Sequence, residues 1–540
     1  MQAVVVALVV VAGSTAMAMT VYVTPEGTGD VPTIQVGLNE CAPGDTILVA
    51  EGIYFENLTW TNTENLTLIS EAGRAETVID GGGMGSVITI ATGVDETTRI
   101  EGFTITNGSA VTGGGIHIKA GSSPTIVDNV ITANVSNDGG GGIGVSDSAP
   151  MITGNEISLN YTHDIGGGIG LRNSNATVVG NTITGNTVSF GVSTGGGIGV
   201  SDGAPVIRDN MIMNNDGGGS AGGIGVVEGA DPTVVGNTIT DNVGYAGGGI
   251  MVQESTGRYN LNTICDNLAT NIGGGALLWT SKAEFTYNLV CGNTAVQING
   301  GGGLSIINED SSLVDHCIIT NNVAQNEQGG GIQCQRETGP IISNCVIADN
   351  NGWGIYCNQN DGAPYPIGGN PLVIHCNIYN NDLGGLCNAD GRVQVSAREN
   401  WWGAESGPFH PTLNFMGMGN QVSDWVDFVP WEIAPLPELS DAEPQGTPPR
   451  FALAQNYPNP FNPQTTISFS LGREGRAEVG VFDVSGRRVT VLADRTFTAG
   501  THTLTWNGCD AQGRAVPSGT YVVRLETESD VQSRKVMLIR

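Results

Sequence analysis

The sequence predicts an all-β chain: a right-handed parallel β-helix of about fourteen coils, followed by a small β-sandwich. Three observations predict it. The stretch "GGGIGVSDSAPMITGNEISLN" at 140–160 returns 26 residues later as "GGGIGLRNSNATVVGNTITGN" at 166–186. Glycine makes up 82 of 540 residues without a G-X-Y period, and only 14% of residues are charged, which excludes collagen, a disordered chain and a helical bundle. The middle of the chain is dominated by Gly, Asn, Thr, Ile and Val, the composition of strands and turns.

The repeat can be measured. Taking the last Gly of each cluster as a marker gives Gly115, Gly142, Gly168, Gly197, Gly223, Gly249, Gly275, Gly303, Gly331, Gly354 and Gly385. A second marker, the first Asn of N-x-[IV]-x-x-N, falls at Asn129, Asn155, Asn181, Asn210, Asn237, Asn262 and Asn288, with His316 taking the next place and then Asn344. The distance from Gly to Asn is 13 or 14 residues throughout, whereas the stretch from the second Asn to the next Gly varies from 7 to 11. Each repeat is therefore a polygon of three short strands ("GGIGV", "APMIT", "NEISL") with two fixed corners and one loose corner. Asn tolerates the left-handed conformation of a corner, and Asn stacked on Asn in successive coils satisfies its own amide inside the solenoid. Ile131, Ile157, Ile183, Ile212, Ile239 and Ile264 are expected to stack as an aliphatic column. The repeat is too long and irregular for the six-residue units of left-handed helices, and parallel crossovers are right-handed. With coils ~4.8 Å apart, the rod is roughly 65 Å long.

The elements follow in chain order. Residues 1–18 hold an apolar run ending in Ala16-Met17-Ala18, read as a secretory signal peptide cut after Ala18. They lack a Lys or Arg near the start, which leaves room for a start codon upstream. Residues 19–433 are assigned to the β-helix. Their opening segment, "PTIQVGLNECAPGDTILVAEGIYFENLTW", resembles that of many secreted β-helices, with a short amphipathic helix before the first strands. "NWWGAESGP" at 400–408 resembles the closing coil of the same families, and Trp401 and Trp402 are expected to cover its open end, with a sugar-stacking platform as the alternative. The Pro-rich stretch 434–450 reads as a linker. Residues 451–540 alternate as strands with turn dipeptides, a small β-sandwich. The segments N-Y-P-N-P-F-N-P, G-R-x-V, W-x-G-x-D-x-x-G-x-x-V-P-S-G-x-Y and the terminal K-x-x-x-x-R resemble C-terminal sorting domains of type IX secretion, which have an immunoglobulin-like fold similar to that of the flagellar hook cap. The resemblance implies that secretion machinery recognises residues 451–540 and that the protein is secreted or displayed on the surface of a Gram-negative-type cell.

Charge restricts the partners. Residues 451–540 hold 10 basic and 8 acidic residues, leaving 11 basic against 44 acidic in residues 1–450, a net charge of −33. Such a surface repels nucleic acid and anionic membranes. No stretch beyond the N-terminus is apolar enough for an integral membrane domain, and the rod is expected to be a monomer.

Three sets of residues carry the chemistry. Five residues after each glycine marker stand Asp147, Asn173, Asp202, Glu228, Glu254, Thr280 and Asn308. Asp202, Glu228 and Glu254 on successive coils, ~5 Å apart, are the candidate ligands of a Ca²⁺, since a cation would relieve their repulsion. The alternative is that exposed turns simply favour acids screened by water. Two residues after each marker, Gly144, Gly170, Gly199 and Gly225 form an outward lane expected to admit an extended chain, with Lys119 and Arg172 along it and Trp279 at its far end. Finally, Cys334 and Cys357, Cys265 and Cys291, and Cys317 and Cys345 are each placed on neighbouring coils, where one coil spacing suits a disulfide; packed free thiols are the alternative.

β-Helix families include pectate lyases, polygalacturonases, alginate epimerases and non-catalytic adhesins. The N-T-D, D-D, G-H-G and R-x-K segments of polygalacturonases are not found here. "LVDHC" at 313–317 is similar to the W-I-D-H segment of pectate lyases but lacks the Trp and a following Arg pair. The pattern G-G-[GA]-[IL] with a downstream Asn resembles the polymorphic outer-membrane-protein adhesins, without their barrel. No catalytic residue is assigned. The sequence reads as a surface β-helix that binds an extended ligand, an extracellular polysaccharide, without turning it over. The alternatives are a polysaccharide lyase or glycoside hydrolase, in which Arg172 or Lys119 would act as base, and a purely structural rod.

Overall fold

The computed structural model describes residues 18–91, 93–189, 194–297, 300–325, 328–358 and 368–436, and within the C-terminal part 452–453, 461, 463–471, 475–483, 487–497, 500–512, 514–527 and 531–538. The proposed signal peptide and most of the linker lie outside these residues. The chain divides into two compact units, residues 1–439 and 440–540.

The first unit is a right-handed parallel β-solenoid of about fourteen turns, built from three long parallel sheets of 16, 13 and 13 strands. One turn shows the plan. Met151–Thr153 lies in the first sheet, Glu156–Ser158 in the second and Ile169–Arg172 in the third. Each strand is three or four residues long, so one or two side chains per strand point inward. Those positions stack in direct register: Ile126, Ile152 and Val178 in the first sheet, Ile131, Ile157 and Ile183 in the second, Ile143, Ile169 and Ile198 in the third. All nine are fully buried. Each coil thus buries its aliphatic face only against the next, at ~1.5–3 kcal/mol per side chain.

Two asparagine ladders hold the corners. Asn129, Asn155, Asn181, Asn210, Asn237, Asn262 and Asn288 form one; Asn134, Asn160, Asn186, Asn215, Asn242, Asn267, Asn293, Asn322, Asn350 and Asn381 form the other. In each step the Oδ1 of one Asn accepts the backbone N–H of the Asn below, as Asn186 does from Asn160 at 3.0 Å, and accepts its Nδ2 amide as well, also at 3.0 Å. Nδ2 also donates to a carbonyl of the preceding coil, as from Asn186 to Ile157 at 2.8 Å.

The first ladder corrects one sequence expectation. After Asn288 the place is taken by Cys317, not His316, and then by Cys345 and Cys376 rather than Asn344, because Leu289 pairs with Ile318, Ile318 with Val346, and Val346 with Asn377. The thiols adopt the amide's bonds: Cys317 Sγ donates to Phe285 O and Asp315 O, and Cys345 Sγ accepts from Cys317 N at 3.4 Å. His316 occupies the left-handed position just before it (φ 53°), directed outward, with its ring stacked on Tyr287 at 4.6 Å and Nδ1 against Asp315.

The loose corner proves to be an arm. Between the second and third sheets the chain runs out and back, and the outgoing segments pair in parallel into two further four-stranded sheets, Ser109–Thr112 to Thr187–Val188 and Val243–Ala246 to Val323–Ala324. Each arm returns over the outer face of the third sheet through glycines. In Gly140 and Gly166 the left-handed φ of 61° and 68° makes the reversal.

The ends are covered. At the start, the helix Ile34–Glu40 buries Ile34 and Leu38 over the first coil; Thr33 caps it by accepting Val36 N, and the Glu56 carboxylate accepts Ile34 N and Gln35 N at 3.0 and 2.9 Å. At the far end Trp402 is fully buried over Gly385, while Trp401 remains half-exposed against Tyr379.

The second unit has a three-stranded and a four-stranded antiparallel sheet around Ile467, Phe469, Val479, Trp506, Tyr521 and Leu525. Tyr521 donates its hydroxyl to Pro517 O at 2.7 Å, bonding back four residues as in the tyrosine corner of immunoglobulin-like sandwiches.

Candidate functional site

The third sheet alternates inward and outward side chains, so it presents two outward columns. The first is the glycine lane: Gly144, Gly170, Gly199 and Gly225 are direct register partners, continued by Met251 and Leu277. All six are buried. The expectation of an open lane is therefore corrected. The arms lie directly on it: a Cβ at Gly170 would stand 2.5 Å from both Gly140 N and Ile165 O, and one at Gly199 2.4 Å from Thr194 O. Glycine is required there because backbone packs on backbone.

The second outward column, four residues after each marker, is partly exposed at Arg172, Val227, Gln253 and Trp279 and buried at Ser201, Ile307 and Gln335. It runs Arg172, Ser201, Val227, Gln253, Trp279, Ile307, Gln335 along the solenoid axis, with Arg172 paired to Ser201, Ser201 to Val227, Gln253 to Trp279, Trp279 to Ile307 and Ile307 to Gln335. Above this floor lies a cleft of about 750 Å³. One wall is made by the arms, through Asp164, Ile165, Thr194, Ser220, Tyr245, Asn271 and Ile272; the other is the corner that follows the floor strands, through Glu228, Glu254 and Arg336. Beneath the arm wall, Ala221, Ala246, Met251, Leu277 and Ile307 form an apolar cluster of their own, with Val227, Ile272 and Trp279 packed against it.

The sequence candidates distribute as follows. Arg172, Glu228, Glu254 and Trp279 line this one cleft. Asp202 and Lys119 are not among its lining residues, and Lys119 follows the strand Ile116–Ile118, two coils before Arg172. The corner acids do form a column: Asp147, Asp202, Glu228 and Glu254 all have left-handed φ of 48–59°. That corner spreads them along the axis. Among the described residues no three His, Cys, Asp or Glu side chains gather into a group able to hold a metal ion, so Asp202, Glu228 and Glu254 are not a Ca²⁺ ligand set in this arrangement. The signal missed in the sequence was the outward phase. Val227, Gln253, Ile307 and Gln335 stand at the same offset as Trp279, and that offset marks the floor.

The cleft's electrostatics are asymmetric. Arg172 forms a two-pronged ion pair with Asp138 (3.0 and 3.3 Å) and reaches Asp164 at 3.5 Å. The guanidinium beside Asp138 holds that carboxyl below its usual range, while burial pushes the Asp164 carboxyl up. Glu228 accepts the hydroxyl of the buried Ser201, and Glu254 accepts the Gln253 side-chain amide at 3.5 Å. Among the described residues neither glutamate has an ion-pair partner. Arg336 donates to Asn308 Oδ1 at 3.2 Å.

Of the cysteine candidates, Cys265 and Cys291 are bonded as a disulfide. Cys334 and Cys357 are facing register partners within the core, both as thiols, and Cys317 and Cys345 are the ladder thiols described above. Among the described residues no helix is long and apolar enough to cross a membrane.

Comparison with known proteins places these features. Residues 461–530 match the FlgD Ig-like domain family. Part of the chain is similar to PorZ, a surface component of the type-IX secretion system of Porphyromonas gingivalis, at 25% identity over 17% of this chain and a TM-score of 0.13; the chain spans 12% of the length of PorZ. Pectin methylesterase from carrot is similar at 12% identity over 59% of this chain and 87% of its own, with a TM-score of 0.26. XylC, in its complex with xylose, is similar at 12% identity over 96% of this chain and 100% of its own, with a TM-score of 0.30. No curated protein matches the chain. The right handed beta helix region family matches residues 86–247, 163–311 and 222–401 in overlapping segments, more than half of the sequence, and the chain belongs to that family.

Proposed function

We propose that this protein is a secreted, surface-delivered β-helix that binds an extended polysaccharide in the Trp279 cleft and does not turn it over. One observation carries the reading: a half-buried Trp stands in a continuous floor that runs along the rod axis, between a wall of arms and a wall of corner residues. An aromatic side chain with the amides of Gln253 and Asn271 near it suits a sugar ring, which has an apolar face and a polar rim. The coil spacing of ~4.8 Å is comparable to the advance of one ring in an extended chain, so successive sugars meet successive coils. Arg172 is engaged by two carboxylates, which argues against its use as a lyase base. Delivery rests on residues 451–540, whose motifs resemble a type IX sorting domain behind a linker.

A glycan array probed with the purified chain tests the binding. At least one extended polysaccharide should be retained, and Trp279→Ala should weaken it about tenfold or more. Retention unchanged by that substitution would refute the cleft as the site.

A second reading has one observation in its favour. Asp164, its carboxyl pushed up by burial, lines the arm wall, and Glu228 on the opposite wall is close enough to contribute to its shift. Two carboxylates on either side of a sugar chain are the machinery of a glycoside hydrolase. Release of reducing ends from the retained glycan, abolished by Asp164→Asn, would establish it in place of the first.

A further inference from the structure

Resting on the reading of the cleft as a glycan site, we infer that its ligand carries positive charge: a polysaccharide with free amines, such as a de-N-acetylated hexosamine chain, rather than a uronate polymer. Charge around the floor is unbalanced. Three carboxylates line the cleft, Asp164, Glu228 and Glu254, and Asp138 stands directly behind Arg172. Two guanidiniums face them, Arg172 and Arg336. Arg172 is spent on Asp138 and Asp164 and offers no free charge to an anion. That leaves Glu228 and Glu254, next to each other along one wall, against Arg336 alone.

Their position relative to the aromatic platform gives the inference its geometry. Glu254 follows Gln253, the register partner of Trp279, and its backbone N–H donates to Trp279 O at 3.0 Å. The acid therefore stands at the end of the strand beside the platform. The corner of Trp279's own coil is Thr280; the rings one and two coils back from a ring stacked on Trp279 lie beside Glu254 and Glu228. An ammonium beside either acid gains a charge-assisted hydrogen bond, whereas a carboxylate there meets a carboxylate. The field of the whole unit has the same sign, 44 acidic residues against 11 basic in residues 1–450, and it steers cations toward the rod and anions away.

The experiment is titration calorimetry of the full chain with three hexasaccharides at pH about 6: hexaglucosamine, cellohexaose and hexagalacturonate. The expected order is hexaglucosamine about tenfold tighter than cellohexaose at low salt, with hexagalacturonate unbound. Glu254→Gln and Glu228→Gln should each cost hexaglucosamine about fivefold, clearly more than they cost cellohexaose. The near-isosteric substitutions keep the wall's shape, and an unchanged melting temperature verifies it. Equal binding of hexaglucosamine and cellohexaose, both lost in Trp279→Ala, would overturn the charge selection and leave the glycan reading standing. A preference for hexaglucosamine that survives both Gln substitutions would assign it to the general charge of the rod, and would overturn the inference too. Binding of none of the three sugars, together with none on the array, would remove the inference and the reading beneath it.

Discussion

Gly199→Ala separates a covered lane from an open one. Gly199 has no left-handed φ, so alanine meets no backbone strain there and its cost is purely steric. Its new Cβ would lie 2.4 Å from Thr194 O, 2.6 Å from Gly166 N and 2.7 Å from Ile165 Cγ2. Two of these are backbone atoms of two adjacent arms, and neither can rotate away. The arms must lift, which disturbs the bond from Gly166 N to Thr194 O (2.8 Å) and the bridge between Ile165 and Thr194. Overpacking costs about 1–3 kcal/mol and a weakened backbone hydrogen bond about 1 kcal/mol more, so the loss should be about 2–4 kcal/mol. Gly180→Ala is the control: its φ of +65° imposes roughly 1 kcal/mol of left-handed strain, but nothing lies within 4 Å of the new methyl group. Urea denaturation of both variants, followed by hydrogen exchange at the Gly166 amide, reads the difference. If Gly199→Ala is no less stable than Gly180→Ala, and the Gly166 amide stays protected, then the arms do not rest on the lane and the description of the cleft's arm wall is wrong.

Three further outcomes are expected. Asn288→Ala should cost about 3 kcal/mol, because it strips the acceptor from Asn262 N (2.9 Å) and Asn262 Nδ2 (3.1 Å) and the donor from Tyr259 O; Asn288→Cys should cost about 1 kcal/mol, since Cys317 already fills that role one coil later, and equal urea midpoints for the two variants would contradict the ladder account. His117 is held neutral by burial and then by Lys119, with its pKa lowered to about 4 from 6.5; the unfolded chain therefore binds the extra proton, stability should fall as pH drops from 6.5 to about 4, and melting curves of His117→Gln should lack that portion, ~1–2 kcal/mol after allowance for the ring's partial exposure. Breaking the Cys265–Cys291 bond, which spans 26 residues, with paired alanines should lower stability about 3 kcal/mol, and peptide maps of non-reduced protein should contain that crosslink; a map with both residues alkylated would refute it.

The solenoid was legible because its stabilising interactions repeat. Stacked Ile and Asn leave a constant 13 or 14 residues between markers, as a repeating coil requires. What repeats imperfectly was harder to read. The ladder was misassigned by one residue at His316, since Cys317 makes an amide's hydrogen bonds with a side chain that does not resemble one. The variable stretch between the second Asn and the next Gly could be recognised as a loose corner. Its return over the sheet could not, because the contacts that hold it there are between backbone atoms and leave only glycine as their trace.

That trace also explains why the cleft lies where it does. Over Gly144, Gly170, Gly199 and Gly225 the arm backbone sits on the sheet itself. At the next two coils the same column holds Met251 and Leu277, whose side chains fill the space between sheet and arm and join Ala246 and Ile307 in a separate apolar cluster. The arm is thereby held away from the sheet on a layer of side chains, and the adjoining outward column, Gln253 and Trp279, comes to lie at the foot of a wall. Two substitutions within a glycine lane convert a closely packed surface into one side of a groove. The repeat supplies the scaffold, and its departures from periodicity supply the site: Met251 and Leu277 raise the wall, Trp279 stands between Gln253 and Ile307 on the floor, and Glu228 and Glu254 replace the Asp and Asn that occupy the same corner in earlier coils.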